Sequence, residues 1–196
     1  MDDTAQRKGS GRQARIETAV RDILDAVGED PEREGLRDTP RRIADLYAEL
    51  FSGLQEDPVD VLSGGFEEGH QELVVLRNIP FYSMCEHHLL PFYGVAHVGY
   101  IPKGRVVGIG RIGRVVEILA RRPQLQERLT TQVADCLVKG LQTQGVAVVV
   151  EATHLCMTMR GVKMPNATVV TSAMRGIFHR SPPTRAEFMA LIKGGT

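Results

Sequence analysis

The sequence has no excess of either charge, no long apolar run and few cysteines. Its 196 residues carry 24 basic and 24 acidic side chains, so no overall field attracts nucleic acid or an anionic membrane. The longest apolar runs, such as residues 146–150, are far shorter than the roughly 20 residues that span a bilayer. Residues 1–15 lack the apolar stretch of a signal peptide. We therefore expect a cytoplasmic protein that binds neither nucleic acid nor membrane.

The three cysteines, Cys85, Cys136 and Cys156, are too few and odd in number for a disulfide framework. Cys136 falls on the apolar face of a predicted helix, where cysteine usually packs as a small hydrophobic residue. Cys85 and Cys156 each lie close to histidines in the sequence, and this places them among the candidates for chemistry.

The first 70 residues are predicted to be accessory to the main domain. Residues 1–12 are polar, with nothing to bury, and are predicted to be a flexible tail. Residues 13–70 are predicted to form a helical segment and a linker. Apolar residues recur at helical spacing over 16–27 and 39–50, whereas 53–70 is rich in Gly, Asp and Glu and has little periodicity.

Residues 71–196 are predicted to form one α+β domain. Apolar and β-branched runs predict strands at 73–76, 95–101, 146–152 and 167–173. Helical stripes predict helices over 112–119 and 125–141, the second closed by Gly145, and a capping box at Thr184-x-x-Glu187 predicts the start of a last helix. This order predicts an antiparallel sheet with a pair of helices on one face.

Two short clusters have the composition of a metal site. Cys85 and His88 have the C-x-x-H spacing that lets one turn present sulfur and nitrogen to the same ion, and His154-Leu155-Cys156 follows a predicted strand. An isolated histidine or cysteine is usually a core or surface residue, but here that explanation must hold in both clusters at once. Four ligands would make a structural zinc site, and three would leave an open position for a water.

Gly108-Ile109-Gly110-Arg111-Ile112-Gly113 matches G-x-G-x-x-G, but two helices precede the next predicted strand, which is not a dinucleotide-binding βαβ unit. A Gly-rich turn that opens a helix with Arg111 and Arg114 still suits a phosphate, and a solvated basic face is the alternative. Arg160, just past the second cluster, is a candidate phosphate clamp or a surface charge.

The pair Gln126-Glu127 lies at a predicted helix start. It is explained either as a charged helix entry or as a carboxylate beside an amide that accepts from the N–H groups of a guanine edge.

Five motifs, in order, resemble those of GTP cyclohydrolase I. They are Gly28-Glu29-Asp30-Pro31 with Glu34-Gly35-Leu36 and Thr39-Pro40; Cys85-Glu86-His87-His88; Gln124-Leu125-Gln126-Glu127-Arg128-Leu129-Thr130; Glu151-Ala152-Thr153-His154-Leu155-Cys156; and Arg160-Gly161. The resemblance runs from about residue 16 to residue 193. It implies a T-fold, with the antiparallel sheet and two helices already predicted, assembled as a ring-shaped homodecamer with active sites between subunits.

The resemblance also implies residue roles. Cys85, His88 and Cys156 would bind zinc, and His87 and His154 would move protons while water adds to C8 of GTP, formate leaves and 7,8-dihydroneopterin triphosphate forms, the first step of pterin and folate biosynthesis. The substrate would be held by five further residues. These are Gln126 and Glu127 at guanine, and Arg111, Arg114 and Arg160 at the triphosphate.

The sequence departs from the family pattern at the phosphate site. Relatives commonly have the motif G-L-S-K-x-x-R. In this chain Gly110 replaces its serine and Arg111 replaces its lysine. In addition, many bacterial relatives have a lysine at the position of Asp45. The departures predict weaker triphosphate affinity or tolerance of another phosphorylation state, which a comparison of GTP and GDP turnover would test.

Two other functions fit parts of the sequence. One is a non-catalytic T-fold oligomer that binds a purine or pterin around a structural zinc. The other is a zinc nucleobase deaminase, suggested by Glu86 beside the ligands, but the P-C-x-x-C half of that signature is absent.

Overall fold

The computed structural model describes residues 3–194. The chain divides into two compact units, one ending at Phe51 and the other beginning at Ser52. This division lies earlier than the expected boundary at residues 70 and 71, because residues 52–70 contain two short 3-10 helices, Ser52–Gln55 and Asp60–Leu62, that pack with the second unit.

The first unit is a pair of helices, α1 (Asp3–Ala26) and α2 (Thr39–Leu50). The predicted second helix is confirmed, with Pro40 near its start, where a missing N–H costs little. The first helix begins at Asp3, inside the segment expected to be a flexible tail, and Met1 and Asp2 of that segment lie outside the described residues. Gln13 Nε2 on α1 donates to Asp45 Oδ1 on α2 at 3.1 Å.

The second unit is built on a five-stranded sheet. In chain order its elements are β1 (Phe66–His70), β2 (Val74–Cys85), β3 (Pro91–Pro102), β4 (Gly104–Val106), α3 (Ile109–Ala120), β5 (Pro123–Gln124), α4 (Gln126–Gly140), β6 (Thr143–His154), α5 (Leu155–Thr158), β7 (Val169–Gly176), α6 (Ile177–Arg180) and α7 (Pro182–Lys193). The large sheet has the order β5-β2-β3-β6-β7, and β1 pairs with β4 in a separate ribbon.

The predicted α+β arrangement is confirmed. The four long strands β2, β3, β6 and β7 are antiparallel neighbours, and α3 and α4 cover one face. Val146, Val148 and Val150 face these helices, and Ala147 and Val149 face the other side. β6 is therefore buried on both faces, as its continuous apolar run predicts. Cys136 lies in the helix-side core, in agreement with its predicted packing role.

The elements extend beyond or shift from their predicted bounds, and three of these differences have a local cause. β2 continues to Cys85 because a bulge at Asn78, with φ +56°, interrupts the alternation only locally. Gly145 does not end α4 but lies in β6, where a Cβ would approach Arg175 O at 2.6 Å. The last helix is capped by Ser181 rather than Thr184, since Ser181 Oγ accepts from Thr184 N–H at 3.4 Å.

α7 lies on the face opposite α3 and α4, where Phe188 packs with Phe178 and Ile101. Within residues 3–194, no helix combines the length and apolar character needed to cross a membrane.

Candidate active site

Cys85, His88 and Cys156 converge at the end of the central strands. One ligand atom from each of the three residues lies within 4.8 Å of the others. Cys85 is the last residue of β2, and Cys156 lies in the short helix α5 that follows β6. The two predicted half-sites therefore meet although 70 residues lie between the two cysteines in the sequence.

A tight turn after β2 brings His88 back to Cys85. Leu89 N–H donates to Cys85 O at 2.8 Å, and Cys85 N–H donates to Leu90 O at 2.9 Å. Leu89 adopts φ +50°, a left-handed conformation that is uncommon for a leucine and that the surrounding structure must enforce. Glu86 N–H donates to Gln124 O at 3.0 Å, which joins the turn to β5.

The three cysteines are free thiols in different surroundings. Burial, and then the neighbouring Cys85, raise the pKa of Cys156. Two sulfurs this close resist joint ionisation, and a divalent cation removes that penalty because metal ligation favours thiolates. Burial raises the pKa of Cys136 to about 11, so this core thiol is unreactive at neutral pH.

Arg160 contacts the imidazole of His88. Arg160 Nη1 lies 3.0 Å from His88 Nε2, and because a guanidinium only donates, His88 Nε2 is the acceptor. The Nε2 lone pair that accepts this hydrogen bond is also what a metal ion would bind. A metal held at Nε2 would therefore displace Arg160.

His87 and His154 complete the imidazoles around the cluster. His87 is exposed, with its ring 6.3 Å from that of His88. His154 is half-buried and stacks on Phe92, the ring centroids being 4.6 Å apart and the planes within 3°. Burial lowers the pKa of His154, and Glu127 partly opposes this shift.

A cavity of about 420 Å³ adjoins the cluster. It brings together all three predicted metal ligands and both predicted catalytic histidines. Its lining also includes Gln126, Glu127 and Arg160, three of the five residues predicted to bind substrate. The volume is that of a small-molecule site, and polar side chains converge on it from several elements.

The side chains of Glu127 and Gln126 differ in exposure and in hydrogen bonding. Glu127 is exposed in the first turn of α4, and its carboxylate makes no hydrogen bond or ion pair within residues 3–194. Gln126 is 1% exposed, and its side chain bonds to His154, Val150 and Val169. A contact between the Gln126 amide and a ligand would require breaking these bonds.

The phosphate-binding residues predicted on α3 do not line this cavity. Arg111 Nη1 donates to Val61 O at 3.0 Å. Arg114 pairs with Glu56 at 2.6 Å and with Glu117 at 2.7 Å. The hydrogen bond that Arg114 donates to Glu117, followed by the one it donates to Glu56, raises the pKa of Arg114. Both cations are thus engaged by their own chain.

The sequence did not reveal two supports of the site. Glu86, in the turn after β2, forms a bidentate ion pair with Arg128 of α4. One of its two contacts joins Arg128 Nη2 to Glu86 Oε1 at 3.0 Å. The ion pair lowers the pKa of Glu86 and joins the turn after β2 to the helix that carries Glu127. Phe92 supports the ring of His154. Neither partner was detectable, because each pair is far apart in sequence.

Residues 16–193 match the family model described as GTP cyclohydrolase I. Curated relatives with the name GTP cyclohydrolase 1 align with most of this chain. The protein from Dehalococcoides mccartyi is 62% identical over 91% of this chain and 95% of its own. Those from Carboxydothermus hydrogenoformans and Geobacillus kaustophilus are 61% and 59% identical, over 91% and 92% of this chain and 93% and 96% of their own.

Proposed function

The chain belongs to the GTP cyclohydrolase I family, and on this premise we propose that it opens the imidazole ring of GTP by hydrolysis, releases formate and forms 7,8-dihydroneopterin triphosphate. The observation that carries the proposal is the convergence of Cys85, His88 and Cys156 in one cavity with two further histidines. The product would enter pterin and folate synthesis. A cytoplasmic location stays a prediction from the sequence.

The donor set of the cluster fits zinc. Two thiols and one imidazole match the sulfur and nitrogen ligands that zinc prefers, and a three-ligand set leaves the fourth tetrahedral position open. We therefore assign Cys85, His88 and Cys156 as the zinc ligands. When bound, zinc would lower the pKa of a coordinated water and so supply the nucleophile for C8 at neutral pH.

We assign proton transfer to His87 and His154. Both line the cavity without belonging to the three-residue cluster. Ring opening requires a proton at each nitrogen that leaves carbon, and imidazole exchanges protons near neutral pH. Burial lowers the pKa of His154 and so favours its neutral form, which has a lone pair that can accept a proton.

Glu127 is the proposed ligand of the guanine edge, with Gln126 beside it in the cavity. A free, exposed carboxylate can accept from two adjacent N–H groups of guanine. A base without that pair of donors would leave the carboxylate unsatisfied, and this would give the site selectivity for guanine over adenine.

We propose that the triphosphate is bound by Arg160 together with Arg111 and Arg114 of another copy of the chain. Of these three arginines only Arg160 lines the cavity, and a triphosphate needs several cations. A homo-oligomer, with the decamer as the expected form, would supply the other two across a subunit interface.

The proposed reaction is tested by incubating the zinc-loaded protein with GTP. We expect formate and a pterin, detected by ultraviolet absorbance, in equal amounts. Failure to release formate while GTP still binds would favour the alternative, a non-catalytic nucleotide- or pterin-binding oligomer with a structural zinc.

Replacement of His87 separates the two functions. In His87→Gln we expect bound zinc to remain while formate release falls by about 10²–10⁴-fold, the usual contribution of a general acid or base. His179→Gln, an exposed histidine on α6 that does not line the cavity, should change neither. If zinc is lost in His87→Gln, then His87 is a ligand and its proposed catalytic role is wrong.

A further inference from the structure

The side-chain amide of Gln126 has a fixed orientation. Its Nε2 lies 3.0 Å from Val150 O, 2.9 Å from Val169 O and 3.2 Å from Thr171 Oγ1. The two backbone carbonyls can only accept. If the amide were reversed, its oxygen would face both of them at hydrogen-bond distance without a proton between, in a site where Gln126 is 1% exposed. The nitrogen must therefore face the strands.

A pair of threonines is consistent with this orientation. Thr130 Oγ1 donates to Gln126 O at 2.7 Å, so its only proton is used. The 2.7 Å contact between Thr130 and Thr171 must then be donated by Thr171. Thr171 Oγ1 keeps lone pairs to accept from Gln126 Nε2. Each hydroxyl hydrogen thus has one acceptor, and the two hydrogens of Gln126 Nε2 are shared among three acceptors.

The orientation of Gln126 determines where His154 carries its proton. Gln126 Oε1 lies 2.7 Å from His154 Nε2. Since an amide oxygen only accepts, Nε2 must be the donor. In a neutral imidazole the other nitrogen, Nδ1, then has the free lone pair. The Nδ1–H tautomer would place two lone pairs 2.7 Å apart, and the stacked Phe92 holds the plane of the ring.

We infer that Gln126 is a positioning residue that holds His154 in the Nε2–H tautomer, so that Nδ1 is the nitrogen that exchanges a proton with the substrate. This inference rests on the proposed function only for the proton transfer. It differs from the predicted role of Gln126 at guanine, because both polar atoms of its side chain already bond to the protein.

The tautomer can be observed directly in the full-length, zinc-loaded protein. Solid-state NMR of protein labelled with ¹⁵N-histidine distinguishes protonated from unprotonated ring nitrogens, and His154→Gln identifies the signals of His154 among the six histidines. At a pH where the ring is neutral, we expect His154 to show a protonated Nε2 and an unprotonated Nδ1. The opposite pattern would overturn the inference, whether or not the protein turns over GTP.

Variants of Gln126 test the consequence for catalysis. Gln126→Met removes the acceptor; we expect a mixture of tautomers and a fall in kcat of about 10²-fold, with the KM for GTP unchanged. Gln126→Glu can replace the amide only as a neutral carboxylic acid, with its O–H toward the carbonyls of Val150 and Val169 and its C=O toward Nε2–H; in that form it should retain the Nε2–H signal. If instead Gln126→Met raises KM and leaves kcat unchanged, Gln126 binds substrate and the inference is wrong.

Thr171→Val is the matched control. It removes one contact of Gln126 Nε2 but leaves both backbone carbonyls, so we expect an unchanged tautomer and a kcat close to that of the wild type. Loss of the Nε2–H signal in this variant would contradict the claim that the carbonyls fix the amide. Should Gln126→Met fail to fold, the spectrum of the wild-type protein still decides the tautomer.

Discussion

The polar side chains of the cavity beside Cys85, His88 and Cys156 differ from those of the N-terminal half of α3 in how far other residues of the chain already bind them. In the cavity, His154 is oriented by a neutral amide, and Glu127 makes no ion pair or hydrogen bond in the described chain. On α3, Arg114 is neutralised by two carboxylates, and Arg111 donates to a backbone carbonyl. One chain therefore leaves accessible the groups proposed to act on the base, whereas Arg111 and Arg114, the proposed phosphate ligands on α3, are engaged by other residues of the same chain.

Removal of one proposed zinc ligand should have the largest effect. In Cys156→Ala, two ligands are left, so we expect the zinc content to fall far below one ion per chain and pterin formation to fall to the background rate. Metal analysis of the purified protein and the formate assay measure both effects. A variant that keeps its zinc and its activity would remove Cys156 from the site.

Cys136→Ala is the control for loss of a thiol. Cys136 is 7% exposed in the core under α4, so we expect a loss of about 1 kcal/mol in the free energy of unfolding but full zinc content and kcat. A loss of zinc in this variant would mean that the metal assay reports a general disturbance of the fold rather than ligation.

The separation of the two regions predicts complementation between chains. His87→Gln impairs the cavity and Arg114→Ala impairs α3, so each variant alone should have low activity. If the regions of different copies form one site, random co-assembly of equal amounts should restore about a quarter of the wild-type activity, the fraction of sites that pairs two intact halves. Activity that stays at the level of the separate variants would show that both regions act within one chain.

Glu56→Gln is the matched control for Arg114. It removes one ion-pair partner of Arg114 and leaves the guanidinium in place. We expect the KM for GTP to stay the same or to fall, since the arginine becomes more available to phosphate. A rise in KM comparable to that of Arg114→Ala would mean that the ion pair itself, and not the free cation, is what the site needs.

The sequence predicted most of the fold because the apolar runs of the strands and the helical stripes of α3 and α4 are long and regular. It also identified the residues that converge around the cavity, since Cys85-x-x-His88 and His154-x-Cys156 have local spacing. The support of Gln126 by Val150 and Val169 was not predictable. It depends on backbone carbonyls of two strands, and any residue type supplies those.

The smallest expected effect is a change in the pH dependence of stability, and it concerns a buried histidine outside the cavity. Burial lowers the pKa of this histidine as it does that of His154 in the cavity, but here the neutral ring serves packing rather than chemistry. His97 is 4% exposed in β3, and its Nδ1 accepts from Asn78 N–H at 3.4 Å. Burial lowers the pKa of His97; Glu151 opposes this shift and Arg77 adds to it.

The sign of the pH dependence follows from the neutral state of His97 in the fold. In the unfolded chain a histidine binds a proton near pH 6.5, so the contribution of His97 is complete above that pH and is lost as the pH falls below it. His97→Gln keeps an acceptor for Asn78 but does not titrate. We therefore expect the Tm of the wild type to drop more steeply than that of the variant between pH 7.5 and 5.5, with roughly 2–4 °C for each kcal/mol of difference. Parallel curves, measured at one protein concentration, would show that His97 is not held neutral by the fold.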